Sequence, residues 1–312
     1  MLEREEDFSI LVYIDGTEGA VRALRYAARI GAGTDGDLTL LYVRPLDRSV
    51  APGPSPAADD ATHLDRAREL PGMKALRQAR DVLVDLGYLA ANWQESFRHT
   101  NVIGDPLGDN MIVYTGADGR SITLKLMVSP SISLAILDEC EVGRYDIVIV
   151  AKPDGTTSPG PGAVEPDIAE TVAIEHNGTV LVARSLEESH GHLVCVTNAE
   201  ESVRAARRDA RIAARCACPV YLLSVAANRA ELPAAERALD DAERAIEGVG
   251  VRISGRKAVV GDPVAAIIEE GRSYSVIVLS AARRRTGWRR FFTISTAYRV
   301  LQNAHNSVMI AR

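Results

Sequence analysis

Short apolar runs alternate with polar, Ala- and Arg-rich stretches along most of the chain. Phe8-Ser-Ile-Leu-Val-Tyr-Ile-Asp15 is such a run; a polar turn and a helix-like stretch over 18–32 follow, then Leu38-Thr-Leu-Leu-Tyr-Val43. The same succession returns at 192–197, 200–214 and 220–225. Runs at 145–150 and 274–279 precede the closing runs Thr179-Val-Leu-Val-Ala-Arg184 and Ser307-Val-Met-Ile-Ala-Arg312. Continuous apolar runs of this length fit strands buried on both faces. Strand–helix alternation predicts a doubly wound parallel α/β fold, with a five-stranded sheet in each of two repeated domains and helices on both faces. The expected domains are 1–185 and 190–312, joined by a polar stretch near 185–191.

The two repeats differ in length. Asp15 aligns with Thr197 at an offset of 182, and Arg184 with Arg312 at an offset of 128, so the first repeat carries 54 extra residues. One extra segment, about 45–62, is rich in Pro, Ala and Asp and reads as a mobile loop. The other, about 91–128, holds Met111-Ile-Val-Tyr-Thr115, the turn Gly116-Ala-Asp-Gly119 and Ser121-Ile-Thr-Leu-Lys-Leu-Met127. Two alternating runs about a Gly-rich turn predict an inserted β-hairpin. A sheet-edge cover, a subunit contact and a ligand lid all fit it.

Composition narrows the function classes. Hydrophobic residues make up 46% of the 312, which excludes disorder as the main state. No uncharged apolar run approaches the roughly 18 residues of a membrane span. The N-terminus is acidic and lacks an apolar signal-peptide core, so a cytoplasmic location is expected, without membrane insertion. A net charge of −6 speaks against nucleic acid as a partner. The 4 cysteines are too few and scattered for a disulfide framework. Cys216-Ala-Cys218 leads into an apolar strand and reads as a pair of buried structural thiols, and His190-Gly191-His192 as a linker with surface histidines, so no metal site is expected. No nucleophile–His–acid spacing suggests covalent catalysis.

Several motifs resemble the universal stress protein family in its tandem form. They are Ile10-Leu-Val-Tyr-Ile-Asp15-Gly-Thr17, Leu40-Leu-Tyr-Val43, Val260-Gly-Asp-Pro263 with the following Ala265-Ala-Ile-Ile-Glu-Glu270, and Ser295-Thr-Ala-Tyr-Arg-Val-Leu301. The resemblance implies two Rossmann/flavodoxin-like domains. It also implies that the closing strands, 180–183 and 308–311, pair antiparallel within the chain, and that two chains could associate as a homodimer. Many family members bind ATP. The resemblance therefore makes Asp15, Gly16, Thr17, Val43, Ala151, Asp154, Gly261 and Asp262 the nucleotide-binding candidates, with ATP or AMP as the ligand.

The family's phosphate loop, Gly-x2-Gly-x9-Gly-Ser/Thr after the fourth strand, cradles phosphate with backbone N–H groups at a helix N-terminus. Both repeats depart from it. In the first, Ala151 and Asp154 replace the first two glycines and Pro166-Asp167 replaces Gly-Ser/Thr. In the second, Ser280-Ala-Ala-Arg283-Arg284-Arg285 carries no glycine at those positions. Its arginines, with Ser295, form an anion-binding candidate at a helix start. The opening Asp becomes Thr197. Asp15 and Asp262 also fit helix caps that need no ligand; Ser131 and Ser133 fit a helix start.

The expected function is a stress-response or signalling module, non-catalytic, with degenerate nucleotide loops. The alternatives are an ATP/AMP-binding protein or slow ATPase using the first domain, and a regulatory partner of a transporter.

Overall fold

The computed structural model describes residues 8–32, 36–46, 65, 67–88, 93–117, 119–152, 167–184, 191–281 and 296–312. They fall into two compact units, Met1–Val172 and Ala173–Arg312.

In the first unit, β1 (Ile10–Tyr13) leads through α1 (Glu18–Ala32) to β2 (Leu38–Pro45) and α2 (Pro71–Asp85). Three long strands follow, β3 (Trp93–Val102), β4 (Asp105–Gly116) and β5 (Ser121–Ser129), then α3 (Ile132–Gly143), β6 (Ile147–Ala151) and α4 (Ile168–Glu175). The strand order is β6-β1-β2-β5-β4-β3. The first four run parallel and the last two antiparallel. β1 and the Ile147–Val150 stretch of β6 are wholly buried, as their unbroken apolar sequences require. The chain steps from β1 to β2 to β5, then back past β1 to β6. The reversal of direction makes β1/β6 the switch point, where open α/β sheets form their ligand crevice.

The second unit begins within α4 and contains β7 (Thr179–Ala183), β8 (His192–Cys195), α5 (Glu200–Arg215), β9 (Val220–Ala226), α6 (Leu232–Glu247), β10 (Gly255–Val260), α7 (Pro263–Gly271), β11 (Val276–Ser280), α8 (Thr296–Asn303) and β12 (Ser307–Ala311). Its order is β10-β9-β8-β11-β12-β7, parallel except at the last pair. β7 ends the first repeat in sequence but packs in the second unit, pairing antiparallel with β12 through Val308↔Val182, Met309↔Leu181 and Ile310↔Val180. The closing strands thus pair as the resemblance implied. Arg312 Nη2 donates to the Ala173 carbonyl at 2.8 Å, tying the last residue to α4.

The registers align the units strand by strand and refine the insertion. β5 lies parallel to β2 with Leu38↔Ile122, just as β10 lies parallel to β9 with Gly255↔Tyr221. The 121–127 run is therefore the third strand of the sheet, and the added part is β3–β4. The hairpin turn itself is present: Gly116 N donates to Arg120 O at 2.9 Å, and Gly119 has φ +86°. β5 alternates buried and half-buried residues along most of its length. Period-two alternation identifies a strand without telling which second neighbour it has.

Local chemistry fixes the helix starts. Ser131 accepts from Leu134 N at 3.3 Å and caps α3. Asp262 accepts from Ala265 N at 2.9 Å and caps α7, with Pro263 in its first turn. The loop at 47–62 lies outside the described residues.

Candidate functional site

The first unit's crevice is built by the carboxyl ends of β1, β2, β5 and β6. After β1, Gly16 turns the chain at φ +81°. Asp15 Oδ1 accepts from Thr17 N at 2.9 Å and from Thr17 Oγ1 at 2.7 Å. Thr17 Oγ1 in turn accepts from Ala20 N at 3.4 Å, capping α1. Asp15 is half-buried, while Gly16 and Thr17 are exposed. So Asp15 organises the turn into the helix, and the turn faces outward at the switch point. Gly19 lets the first turn of α1 approach β6: a Cβ there would lie 3.3 Å from Ala151 Cβ. Asp15, Gly16, Thr17 and Ala151 are thereby brought to one place. Val43, at the end of β2, is buried, so it can offer a ligand only backbone.

The end of β2 carries groups that sequence reading missed. Arg44 Nη2 pairs with Asp105 Oδ1 at 2.6 Å, and the same oxygen accepts from Leu107 N at 3.0 Å. Asp109 Oδ1 accepts from Val128 N at 2.7 Å. Burial pushes the Asp109 carboxyl above the usual range, against the Val128 N–H and the charges of Lys125 and Arg44. The inserted strand β4 thus begins with carboxylates that fasten β2 and β5 at their carboxyl ends. Gly-Asp-Pro occurs at 104–106 as at 261–263. In the first place its Asp is buried at a strand start; in the second it caps a helix. The tripeptide alone does not tell the two apart.

The phosphate end of the crevice corresponds to the start of α4. Asp167 Oδ1 accepts from Glu170 N at 3.1 Å, so this carboxylate sits on the helix N-terminus. Lys152, just past β6, pairs with both Asp167 and Glu170, its Nζ lying 2.6 Å from Glu170 Oε1. All three side chains are largely shielded from solvent. The helix N-terminus and Lys152 are engaged by the protein's own carboxylates. Asp154 lies outside the described residues.

In the second unit, Thr197 N donates to Ser202 Oγ at 2.9 Å, and Thr197 Oγ1 accepts from Ala199 N at 3.3 Å, reproducing the turn without a carboxylate. Gly261 N donates to Ala226 O at 2.9 Å, and a Cβ on Gly261 would meet open space. Asp262 is occupied as the helix cap. Arg283, Arg284, Arg285 and Ser295 lie outside the described residues.

The expected linker histidine is a correction. His192 opens β8, is fully buried, and its Nδ1 lies 2.9 Å from Asp209 Oδ1 of α5. Burial works against the charged imidazole. The Asp209 charge, and hydrogen bonds to Asp209 and Cys218, outweigh it and raise His192 to about 9. A polar residue at the first position of an apolar run reads as linker, because its carboxylate partner is 17 residues away on a helix. Of the expected structural thiols, Cys216 is buried and Cys218 only half-buried.

No helix among the described residues is long and apolar enough to cross a membrane. No curated protein matches the chain. Among solved structures, a universal stress protein from Archaeoglobus fulgidus DSM 4304 is similar at 14% identity, with TM-score 0.61 over 97% of this chain and 98% of that one. A universal stress protein of Pseudomonas aeruginosa UCBPP-PA14 gives 16% identity and TM-score 0.61, over 98% and 93%. The cytoplasmic domain of a prokaryotic cation chloride cotransporter gives 10% identity and TM-score 0.52, over 98% and 95%. At these identities the structures show a shared fold. The model of the universal stress protein family matches residues 8–104 and 192–312, once in each repeat and over more than half the chain. The protein belongs to the universal stress protein family, with two family domains in tandem.

Proposed function

We propose that the chain is a non-catalytic stress-response or signalling module whose two units carry degenerate nucleotide sites. The observation that carries this reading is the start of α4. A phosphate cradle needs unsatisfied N–H groups and a free positive field. Here Asp167 takes the N–H of Glu170, and Lys152 is shared between Asp167 and Glu170. A triphosphate at this helix would have to displace one carboxylate and stay near the other. The second unit supports the same reading from the opposite side: it has Thr197 in place of Asp15, so the nucleoside-facing carboxylate is missing. The Asp15 turn and the backbone at Val43 remain in the first unit. They suit adenosine or AMP better than ATP, since neither asks the α4 start to accept a triphosphate. Hydrolysis would need the triphosphate held in line, which this arrangement opposes.

The test is parallel titration of adenosine, AMP and ATP by calorimetry, with phosphate release measured on the same samples. The reading expects ATP no tighter than AMP and no turnover. Tight ATP binding with release of phosphate would replace it with the ATPase reading.

A second reading, a regulatory partner of a transporter, has in its favour the fold shared with the cotransporter's cytoplasmic domain. Among the described residues the added β3 has only β4 as a sheet neighbour, which leaves an edge for a partner strand. Deleting β3–β4 and scoring co-purification of a membrane transporter would decide it.

A further inference from the structure

At the amino-terminal edge of the second unit's sheet, opposite the strand ends that form a crevice, three side chains converge. His192, Cys216 and Cys218 each offer one ligand atom, all within 4.8 Å of one another. The convergence is built by the backbone. Helix α5 ends at Arg215, and Ala217 takes φ +52°, a left-handed conformation that a non-glycine residue adopts at a cost. Ala217 N then donates to Ala214 O at 3.2 Å and Cys218 N to Ala213 O at 2.8 Å, which folds the two cysteines onto each other. Their sulfurs lie 2.7 Å apart. Next to this turn, His192 N donates to Pro219 O at 2.8 Å. Gly191 permits that approach, since a Cβ there would come within 2.4 Å of the same oxygen.

The imidazole is oriented as a ligand. Nδ1 is engaged by Asp209 Oδ1, and the ring also hydrogen-bonds Cys218. A carboxylate behind a histidine, fixing its tautomer, is the usual outer-shell arrangement of a metal-bound imidazole. Asp209 is fully buried and its Oδ2 makes no hydrogen bond among the described residues. Such a buried carboxylate needs a nearby positive charge, which the charged imidazole supplies without metal and a bound cation would supply in its place.

We propose that His192, Cys216 and Cys218 bind a thiophilic d10 cation, Zn2+, with Asp209 as the outer-shell residue that positions the imidazole. Two sulfurs and one nitrogen fit the softness of such an ion. Zn–S bonds of about 2.3 Å and a Zn–N bond of about 2.0 Å place tetrahedral ligand atoms about 3.5–3.8 Å apart. The three atoms lie within 4.8 Å of one another, and the sulfurs, 2.7 Å apart, would open by about 1 Å to reach that spacing. Charge selects the dication. With two thiolates, a neutral imidazole and the Asp209 carboxylate, Zn2+ leaves one net negative charge in the buried cluster, whereas Cu+ leaves two. On binding, the protons of both thiols and of the imidazole nitrogen facing them go to solvent. Half-buried Cys218 gives the entry path. A disulfide would also bring the two sulfurs together, but it gives the carboxylate-oriented imidazole no role.

The experiment uses the full-length protein, reduced, stripped with chelator and reloaded with Zn2+. Native mass spectrometry should then show one Zn2+ per chain, and Co2+ in its place should give a thiolate-to-metal absorption band. Cys218→Ser, at a half-buried position that keeps the fold, should weaken Zn2+ at least about 100-fold and remove most of the band. Asp209→Asn should weaken Zn2+ about 10–100-fold while the thiolate band persists in the loaded protein. Cys195→Ser, outside the cluster, should change neither. Failure of the reduced protein to take up Zn2+ overturns the proposal. So does undiminished Zn2+ binding by Cys218→Ser, a chain that purifies two hydrogens light and regains them with reductant, or uptake of Cu+ without Zn2+.

Discussion

Replacing Asp167 with Ser probes the start of α4 directly. Serine still caps a helix, so the fold should hold. It removes one of the two carboxylates that engage Lys152, and it removes negative charge from the N–H group that a phosphate would address. A phosphate oxygen hydrogen-bonded at that helix end would lie about 5 Å from the Asp167 carboxylate. Two unit charges at that separation repel by about 3 kcal/mol at an effective dielectric of 20. Asp167 is itself 31% exposed, so solvent and salt reduce the repulsion. The expected gain in ATP affinity is about 1–2 kcal/mol, or about 5–30-fold. Adenosine, which has no phosphate, should bind wild type and variant alike. Calorimetric titration of both ligands into both proteins at fixed salt reads the difference. Unchanged or weakened ATP binding in Asp167→Ser, with adenosine unaffected, would refute the idea that this carboxylate excludes phosphate.

Three further outcomes are expected. Asp15→Ala removes the acceptor of two hydrogen bonds from Thr17; it should cost about 1 kcal/mol in urea unfolding, and about 1–3 kcal/mol of adenosine affinity if the carboxylate touches the nucleoside. Asp105→Ala strands the largely buried Arg44 guanidinium and should destabilise the first unit by about 3 kcal/mol, read as a lowered urea midpoint, with Asp105→Asn milder. His176 is held down to about 4 by burial and by the Arg312 and Arg208 charges. It stays neutral when folded but protonates when unfolded, so stability should be full above about pH 6.5 and fall toward pH 4 by at most about 3 kcal/mol. His176→Gln should flatten that part of the urea-midpoint profile against wild type.

The parallel strands were legible because burial on both faces leaves an unbroken apolar run, as in Ile10–Tyr13 and Val276–Ser280. The helix caps at Ser131 and Asp262 were legible because capping is local chemistry. Long-range partners were not. Nothing near Arg44 in sequence announces Asp105, 61 residues on, and nothing near His192 announces Asp209. From sequence β5 reads as insertion, because its pairing with β2 is a register fact that no alternation encodes. The departure of the first phosphate loop from the family pattern was visible in Pro166-Asp167. That Lys152 would join Asp167 and Glu170 into one cluster depended on the loop's ends meeting in space.

Neither unit is expected to hold a triphosphate, and native mass spectrometry of the freshly purified chain, titrated with ATP and with AMP, reads this out. No ATP complex of defined stoichiometry should form below ~1 mM, a standard free energy of about −4 kcal/mol, and any nucleotide found should be the monophosphate at one per chain. One or two ATP per chain at micromolar concentration would contradict it and make the protein an ordinary ATP-binding member of its family.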